Sequence, residues 1–227
     1  MAKLSASRTV PRCSWGATGV WSLRLPTVIV LWVGLWTFGA GEALLIRARL
    51  GNTPWTVLSE GIAERVGLSI GTVTIIISML VLTSWLPFDE RPGFGTFSNI
   101  LLIGIAIDVM SPFVPRPTQF GWQLGQSVLG VVIGGFGCAL YLTANLGPGA
   151  RDGLMKSLHR RFDIPIAWVR LAMEATVLVA GIALGGRAGI GTVLFALGVG
   201  HAMSWSFTAF STMDRRARDT TAQAVSG

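Results

Sequence analysis

The sequence predicts an all-α polytopic membrane protein of six transmembrane helices, arranged as a 3+3 inverted repeat with a short interfacial or re-entrant helix in each half. Three observations carry this expectation. Hydrophobic residues make up 51% of the 227-residue chain and charged residues 13%, with a mean hydropathy of +0.61, whereas about a quarter of the residues of a soluble protein are charged. Six apolar segments approach the roughly twenty residues that a helix needs to cross a bilayer. The chain is also written twice: Gly51/Gly147 and Gly95/Gly191 lie 96 positions apart, and the same ungapped offset matches Gly39/Gly135, Ala43/Ala139, Arg65/Arg161, Arg91/Arg187 and Thr96/Thr192.

Residues 1–26 carry Lys3, Arg8, Arg12 and Arg24 and no acid. They read as a cytoplasmic tail that skims anionic lipid through Trp15 and Trp21. The apolar run that follows is too long for a cleaved signal peptide and is taken as the first span. The six spans are expected at 27–46, 68–87, 97–113, 123–144, 165–185 and 192–211. They group into a first three-helix repeat over 27–113 and a second over 123–211, with a disordered cytoplasmic tail over 212–227. Gly130-xxx-Gly134 and Gly181-xxx-Gly185 mark places where helix backbones can approach closely.

Between the first and second spans of each half lies a piece too short to cross, Pro54 to Val66 and Arg151 to Phe162. Thr53 before Pro54 is a good cap followed by a good first residue. Each piece either lies at the interface as an amphipathic helix, burying Trp55, Leu58 and Ile62 in the first half, or dips inward as a half-helix aimed at a ligand.

Loop charge sets the orientation. Counting loops alternately from an inside N-terminus puts thirteen of the eighteen Lys and Arg inside and five outside (Arg47, Arg49, Arg65, Arg116 and Arg187). Both termini are therefore expected in the cytoplasm. Three spans per repeat is an odd number, so the second copy must enter the bilayer from the opposite face. The formal charge of +7 belongs to this asymmetry, and no basic domain is present to hold nucleic acid.

Ionisable residues within spans are costly and mark function by default. Glu42, Asp108, Arg170, Glu174 and His201 qualify. Arg170 and Glu174, four apart, can pair on one helix face. That pair either pins the fifth helix or is a gated charge site in which Glu174 exchanges Arg170 for a proton or a cationic substrate. Glu42 sits among small residues, and either pairs with Arg47 or Arg49 or faces a wet cleft. Asp108 is near enough to a span end to reach water, and His201 reads as a packing residue or a ligand. Arg151 and Asp152 open the short helix of the second half, where an acid suits the helix dipole and Arg151 could hold an anion or a lipid headgroup. Cys13 and Cys138 suggest neither a disulfide nor a metal site. No HExxH, GxSxG or zinc spacing occurs, and the glycine-rich Gly93–Thr96 and Gly189–Thr192 turns lack the lysine of a phosphate loop. Enzymatic activity, a metal and a cofactor are not expected.

The runs LGNTPWTVLSEG, RPGFGT, LGPGARDGLM, VRLAMEATVLVAG and GIGTVLFALGVG resemble the YczE/YitT group of bacterial integral membrane proteins, particularly its actinobacterial members. The resemblance spans about residues 27 to 205. Two positions depart from the group's pattern, Ala150 and His201, where proline is usual. It implies a six-span protein of the bacterial inner membrane, loosely associated with small-molecule export and with antibiotic or lipopeptide production. The leading expectation is a small secondary transporter or exporter of a small molecule, with Glu174 as coupling acid, Arg170 as its partner, and Glu42, Arg151 and Asp152 as gating or substrate contacts. The other is an accessory protein that supports a biosynthetic enzyme or lipid assembly without moving solute. Partners are the lipid bilayer and a small-molecule substrate, and a homodimer is an assembly that either reading allows.

Overall fold

The computed structural model describes residues 10–88 and 90–226, with side chains described as far as Arg215. Its elements are α1 (Leu25–Ala48), α2 (Pro54–Val66), α3 (Ile70–Thr83), α4 (Phe94–Met110), α5 (Phe120–Thr143), α6 (Ala150–Phe162), α7 (Ile166–Ala183) and α8 (Ile190–Ser226). No strand occurs among the described residues. Six helices are long and apolar enough to cross a membrane: α1, α3 with the 3-10 turn Leu86–Phe88, α4 with the turn Ser111–Phe113, α5, α7 and α8. They fall on the six expected spans to within a few residues.

Local chemistry sets the boundaries. Thr53 caps α2 by accepting from Thr56 N, with Pro54 next, where its missing N–H costs nothing. Ser69 caps α3 in the same way. Helix starts recur at a constant interval, at residues 54 and 150, 70 and 166, and 94 and 190. The left-handed positions recur with them: Arg49 (φ 60°) and Asn145 (φ 54°), Gly51 (φ 113°) and Gly147 (φ 114°), Gly67 (φ 71°) and Asp163 (φ 51°). Even the hydrogen bonds between loops repeat, since Gly95 N donates to Leu146 O and Gly191 N to Leu50 O, both at 2.8 Å.

The core is the crossing of α1 and α5. They run antiparallel, with Gly34 against the backbone of Tyr141 and Gly41 against Gly130 and Gly134. A Cβ on Gly41 would lie 2.6 Å from Gly134 N, so only glycine permits the approach. Leu31, Leu35, Ile107 and Leu146 fill the space beside it. Helix α4 packs on α1 through Gly39 and Ala106, and α8 packs on α5 through Gly135 and Ala202. Of the expected glycine pairs, Gly181 receives the backbone of Val57 and Leu58 of α2, while Gly185 lies past the end of α7 (φ 99°) and packs against almost nothing.

The two halves pack differently. Helix α3 packs along α4, but α7 does not pack along α8. Only 11% of the α7 span is buried, against 44% of α1 and of α5.

Residues 1–9 lie outside the described residues, and the segment from Val10 is laid on the bundle. Ala17 N donates to Ala144 O (2.9 Å), Trp15 Nε1 to Thr143 Oγ1 (2.9 Å) and Asn145 Nδ2 to Ala17 O (3.0 Å). The cause is the unpaired carbonyls and side chains at the end of α5, which need donors. Trp21 alone of the two tryptophans stays exposed, tilted against Phe97. At the other end α8 does not stop near 211. It continues to Ser226, because no Gly or Pro interrupts residues 201–226; Gly227 lies outside the described residues.

Candidate functional site

The chain reverses at the end of α1. The left-handed Arg49 and Gly51 turn it back into the bundle, so that the first residues of α2 meet Glu42, six residues before the end of α1 at Ala48. At 1.5 Å per residue that is about 9 Å inside the helix end. Glu42 Oε2 accepts from Thr56 Oγ1 at 2.6 Å and from Thr53 Oγ1 at 3.1 Å. Glu42 is only 3% exposed, and its second oxygen, Oε1, takes no hydrogen bond among the described residues. Neither expected partner reaches it: Arg47 donates instead to Val114 O at 3.0 Å. Arg49, the left-handed C-cap of α1, lines an open depression instead.

The second half makes the same reversal through Asn145 and Gly147. Cys138 stands where the first half has Glu42, and Asp152 stands where it has Thr56. Tyr141 Oη donates to Asp152 Oδ2 at 3.4 Å, with Cys138 Sγ 3.8 Å from the same hydroxyl. Arg151 crosses from this half to the other. Its guanidinium carbon lies 4.6 Å from the centre of the Trp55 ring, within cation–π range, and it interacts electrostatically with Glu42, Asp152 and Glu174. No described residue accepts a hydrogen bond from that guanidinium. Burial pushes its pKa down, with Glu42 and Asp152 opposing; burial pushes the Asp152 carboxyl up, with Arg151 the first opposing charge. Lost hydration is the largest cause of both shifts.

Arg170 and Glu174 pair at 2.9 Å on α7, and Arg170 acts electrostatically on Asp152. Five of the seven predicted residues (Glu42, Arg151, Asp152, Arg170 and Glu174) therefore share one region where α2 and α6 begin. The other two do not. Asp108 caps α3, accepting from Ser69 Oγ and from Gly71 N at 2.9 Å. His201 is exposed on α8 with Nδ1 against Leu197 O at 2.9 Å.

Several members of the cluster escaped sequence reasoning because they carry no charge. Thr53 reads as a helix cap and Trp55 as the buried face of an interfacial helix, and Thr56 carries no signal in the sequence. Tyr141 is the chain's single tyrosine, a signal available in the composition. Asn99 of α4 flanks Gly149 beside Asp152: a Cβ on Gly149 would lie 3.2 Å from Asp152 Oδ2 and 3.3 Å from both amide atoms of Asn99. An amide inside an apolar span could have been counted with the ionisable residues.

A separate polar tie closes the far side of α2. The carboxylate of Glu60 accepts from Asn52 Nδ2 at 2.7 Å and from Arg187 N at 2.8 Å, and the Arg187 guanidinium stands 3.6 Å away. A shallow, open depression of about 460 Å³ lies beside it, lined by Arg49, Gly51, Arg187 and Ile190 among others. None of the clustered residues lines it, and its groups converge on nothing.

The sequence matches the model of a family described as being of unknown function, DUF6198, over residues 25–207. An uncharacterized protein of Haemophilus influenzae is 39% identical over 198 residues, 87% of this chain and 91% of its own. The uncharacterized membrane protein YczE of Bacillus subtilis is 33% identical over 175 residues, 76% of this chain and 81% of its own. YyaS of the same bacterium is 26% identical over 166 residues. No solved structure matches. With six membrane-length apolar helices and a match running from α1 into α8, the chain is a YczE-like membrane protein and belongs to the DUF6198 family.

Proposed function

We propose that the chain is a small secondary transporter of the bacterial inner membrane, with both termini cytoplasmic and its solute site where α2 and α6 begin. One observation carries this reading. Glu42, nearly sealed, and the half-buried Arg151 and Asp152 stand together where α2 and α6 begin, yet Glu42 Oε1 and the whole Arg151 guanidinium go without a hydrogen-bond partner among the described residues. A purely structural ion pair would close these groups on each other, as Arg170 and Glu174 do at 2.9 Å. Groups left open in this way suit a guest.

The architecture we assign is the 3+3 inverted repeat, with α2 and α6 as re-entrant half-helices. The recurring helix starts, the recurring left-handed positions and the antiparallel α1 and α5 support it. Unequal packing of the halves, α3 on α4 but α7 free of α8, is what one state of an alternating-access cycle looks like.

The test is flux. The protein is reconstituted in liposomes that enclose a pH-sensitive dye, and gradients of amphipathic antibiotics, amines and anions are imposed in turn. At least one solute class should move the dye with the wild type and not with Glu42→Gln. If no solute drives a response or accumulates while the protein remains folded, the transporter reading fails. The accessory reading would then rest on the exposed basic end of α6, Lys156, His159, Arg160 and Arg161, and on co-purification of a partner that charge reversal there abolishes.

A further inference from the structure

We infer that the solute is an organic cation, whose ammonium or guanidinium head sits on the Trp55 face between Glu42 and Asp152, in the place that Arg151 now occupies. This rests on the transport reading and names its substrate class.

Charge comes first. Arg170 and Glu174 pair at 2.9 Å, and Lys156 acts on Asp152 alongside Arg151. A cation that takes the place of the Arg151 guanidinium leaves the charge around Glu42 and Asp152 unchanged, whereas an incoming anion would meet both carboxylates. Shape comes second. Trp55 is nine-tenths buried (9% exposed) and already carries a planar cation over its ring at 4.6 Å. Indole faces are the best aromatic partners for such groups.

Hydrogen bonding comes third. Glu42 is held in place through one oxygen by Thr53 and Thr56, which leaves Oε1 as an open acceptor. Arg151 makes no hydrogen bond that would have to be broken for it to leave. It is an internal surrogate, held by the ring and by charge alone, and the solute competes with it. Asn99, beside Gly149 and Asp152, offers the head group a neutral amide.

Binding separates the possibilities. The protein is placed in nanodiscs of phosphatidylcholine, which carry no net charge, and titrated calorimetrically with agmatine, tetramethylammonium, benzoate and inorganic phosphate. Agmatine or tetramethylammonium should bind, and Glu42→Gln or Trp55→Leu should weaken binding about tenfold or more. Arg151→Ala should tighten it, since the competitor is gone. Asp152→Asn carries the same test as Glu42→Gln should the latter fail to fold. If benzoate or phosphate binds instead and Arg151→Ala abolishes it, the cation inference is overturned while the transport site stands. If none of the four probes binds the folded wild type, both readings fall.

Discussion

A carboxylate nearly sealed inside a membrane bundle is stable only if something in the protein replaces its water. At Glu42 that something is the pair of threonine hydroxyls that begin α2, at 2.6 and 3.1 Å. Hydrogen bonds to a charged group contribute more than neutral ones, so Thr56→Val, which keeps shape and deletes the donor, should lower stability by about 1.5–3 kcal/mol. Thr56→Ser should restore most of the loss. Thermal unfolding of the three proteins in one detergent checks this, and equal midpoints for Val and wild type would mean that Thr56 does not hold Glu42. The sequence makes the charged half of this site legible, because Glu42, Arg170 and Glu174 are anomalies inside apolar runs and Arg151–Asp152 is an anomaly at a helix start. Their neighbours are ordinary: a threonine before a proline reads as a cap, and Trp55 reads as lipid-facing. Only the return of the chain along α1 gives those residues a second role. Asp108 shows the converse, an equally anomalous acid whose work is to cap α3.

Among the elements, glycine placement decides which helices touch by backbone and which by side chain. Gly41 and Gly134 face each other across α1 and α5, yet they are not equivalent. A Cβ on Gly41 would meet Gly134 N at 2.6 Å and Gly130 O at 2.7 Å, whereas a Cβ on Gly134 would meet nothing within 4 Å. Gly41→Ala must push two backbones apart and should cost about 1–3 kcal/mol. Gly134→Ala should lie within about 0.5 kcal/mol of the wild type. Comparison of their thermal midpoints tests the packing, and the opposite order would refute it. A second difference lies between α2 on α7 and α6 on α3. Gly181 admits the backbone of α2 against α7; its repeat counterpart is Trp85, 2% exposed, whose ring occupies the space over Gly153 of α6 and whose Nε1 donates to Ala150 O at 2.9 Å. Helix α7 takes α2 on a glycine, while α3 meets α6 through an indole. Helix starts were legible because Thr53, Ser69 and the 96-residue offset are written in the chain. The asymmetry was not, because it depends on which side of each helix Trp85 and Gly181 occupy.

For the whole molecule, the repeat makes a prediction that neither half makes alone. If the two halves are one unit in two conformations, the alternative state exchanges them: α7 packs on α8 as α3 now packs on α4, and α3 releases α4. The present contact is narrow. Gly71 of α3 meets Gly104 of α4, and a Cβ on Gly104 would meet the Ile75 side chain. The corresponding residues of the second half are Leu171 and Gly200. In this structure Leu171 is 56% exposed, and a Cβ on Gly200 would have nothing within 4 Å, so the pair is apart. A Cβ at 104 would also press on the Gly71 carbonyl at 2.5 Å, so in a background of Cys13→Ser and Cys138→Ala the double variant Ile75→Cys/Gly104→Cys is first shown to transport when reduced, and should then cross-link in the resting protein. Leu171→Cys/Gly200→Cys should cross-link only when the other state is populated, and should then arrest flux until reduced. Such motions occur in microseconds to seconds, far faster than oxidative trapping, so even a minor state accumulates as the cross-linked form. The proof lies in exclusivity. A protein locked through residues 171 and 200 must lose the ability to cross-link 75 to 104, because α3 and α7 cannot both be closed in a rocking bundle. If both pairs close in the same molecule, or if 171 and 200 never meet in a protein that transports, the halves do not exchange and the asymmetry is permanent.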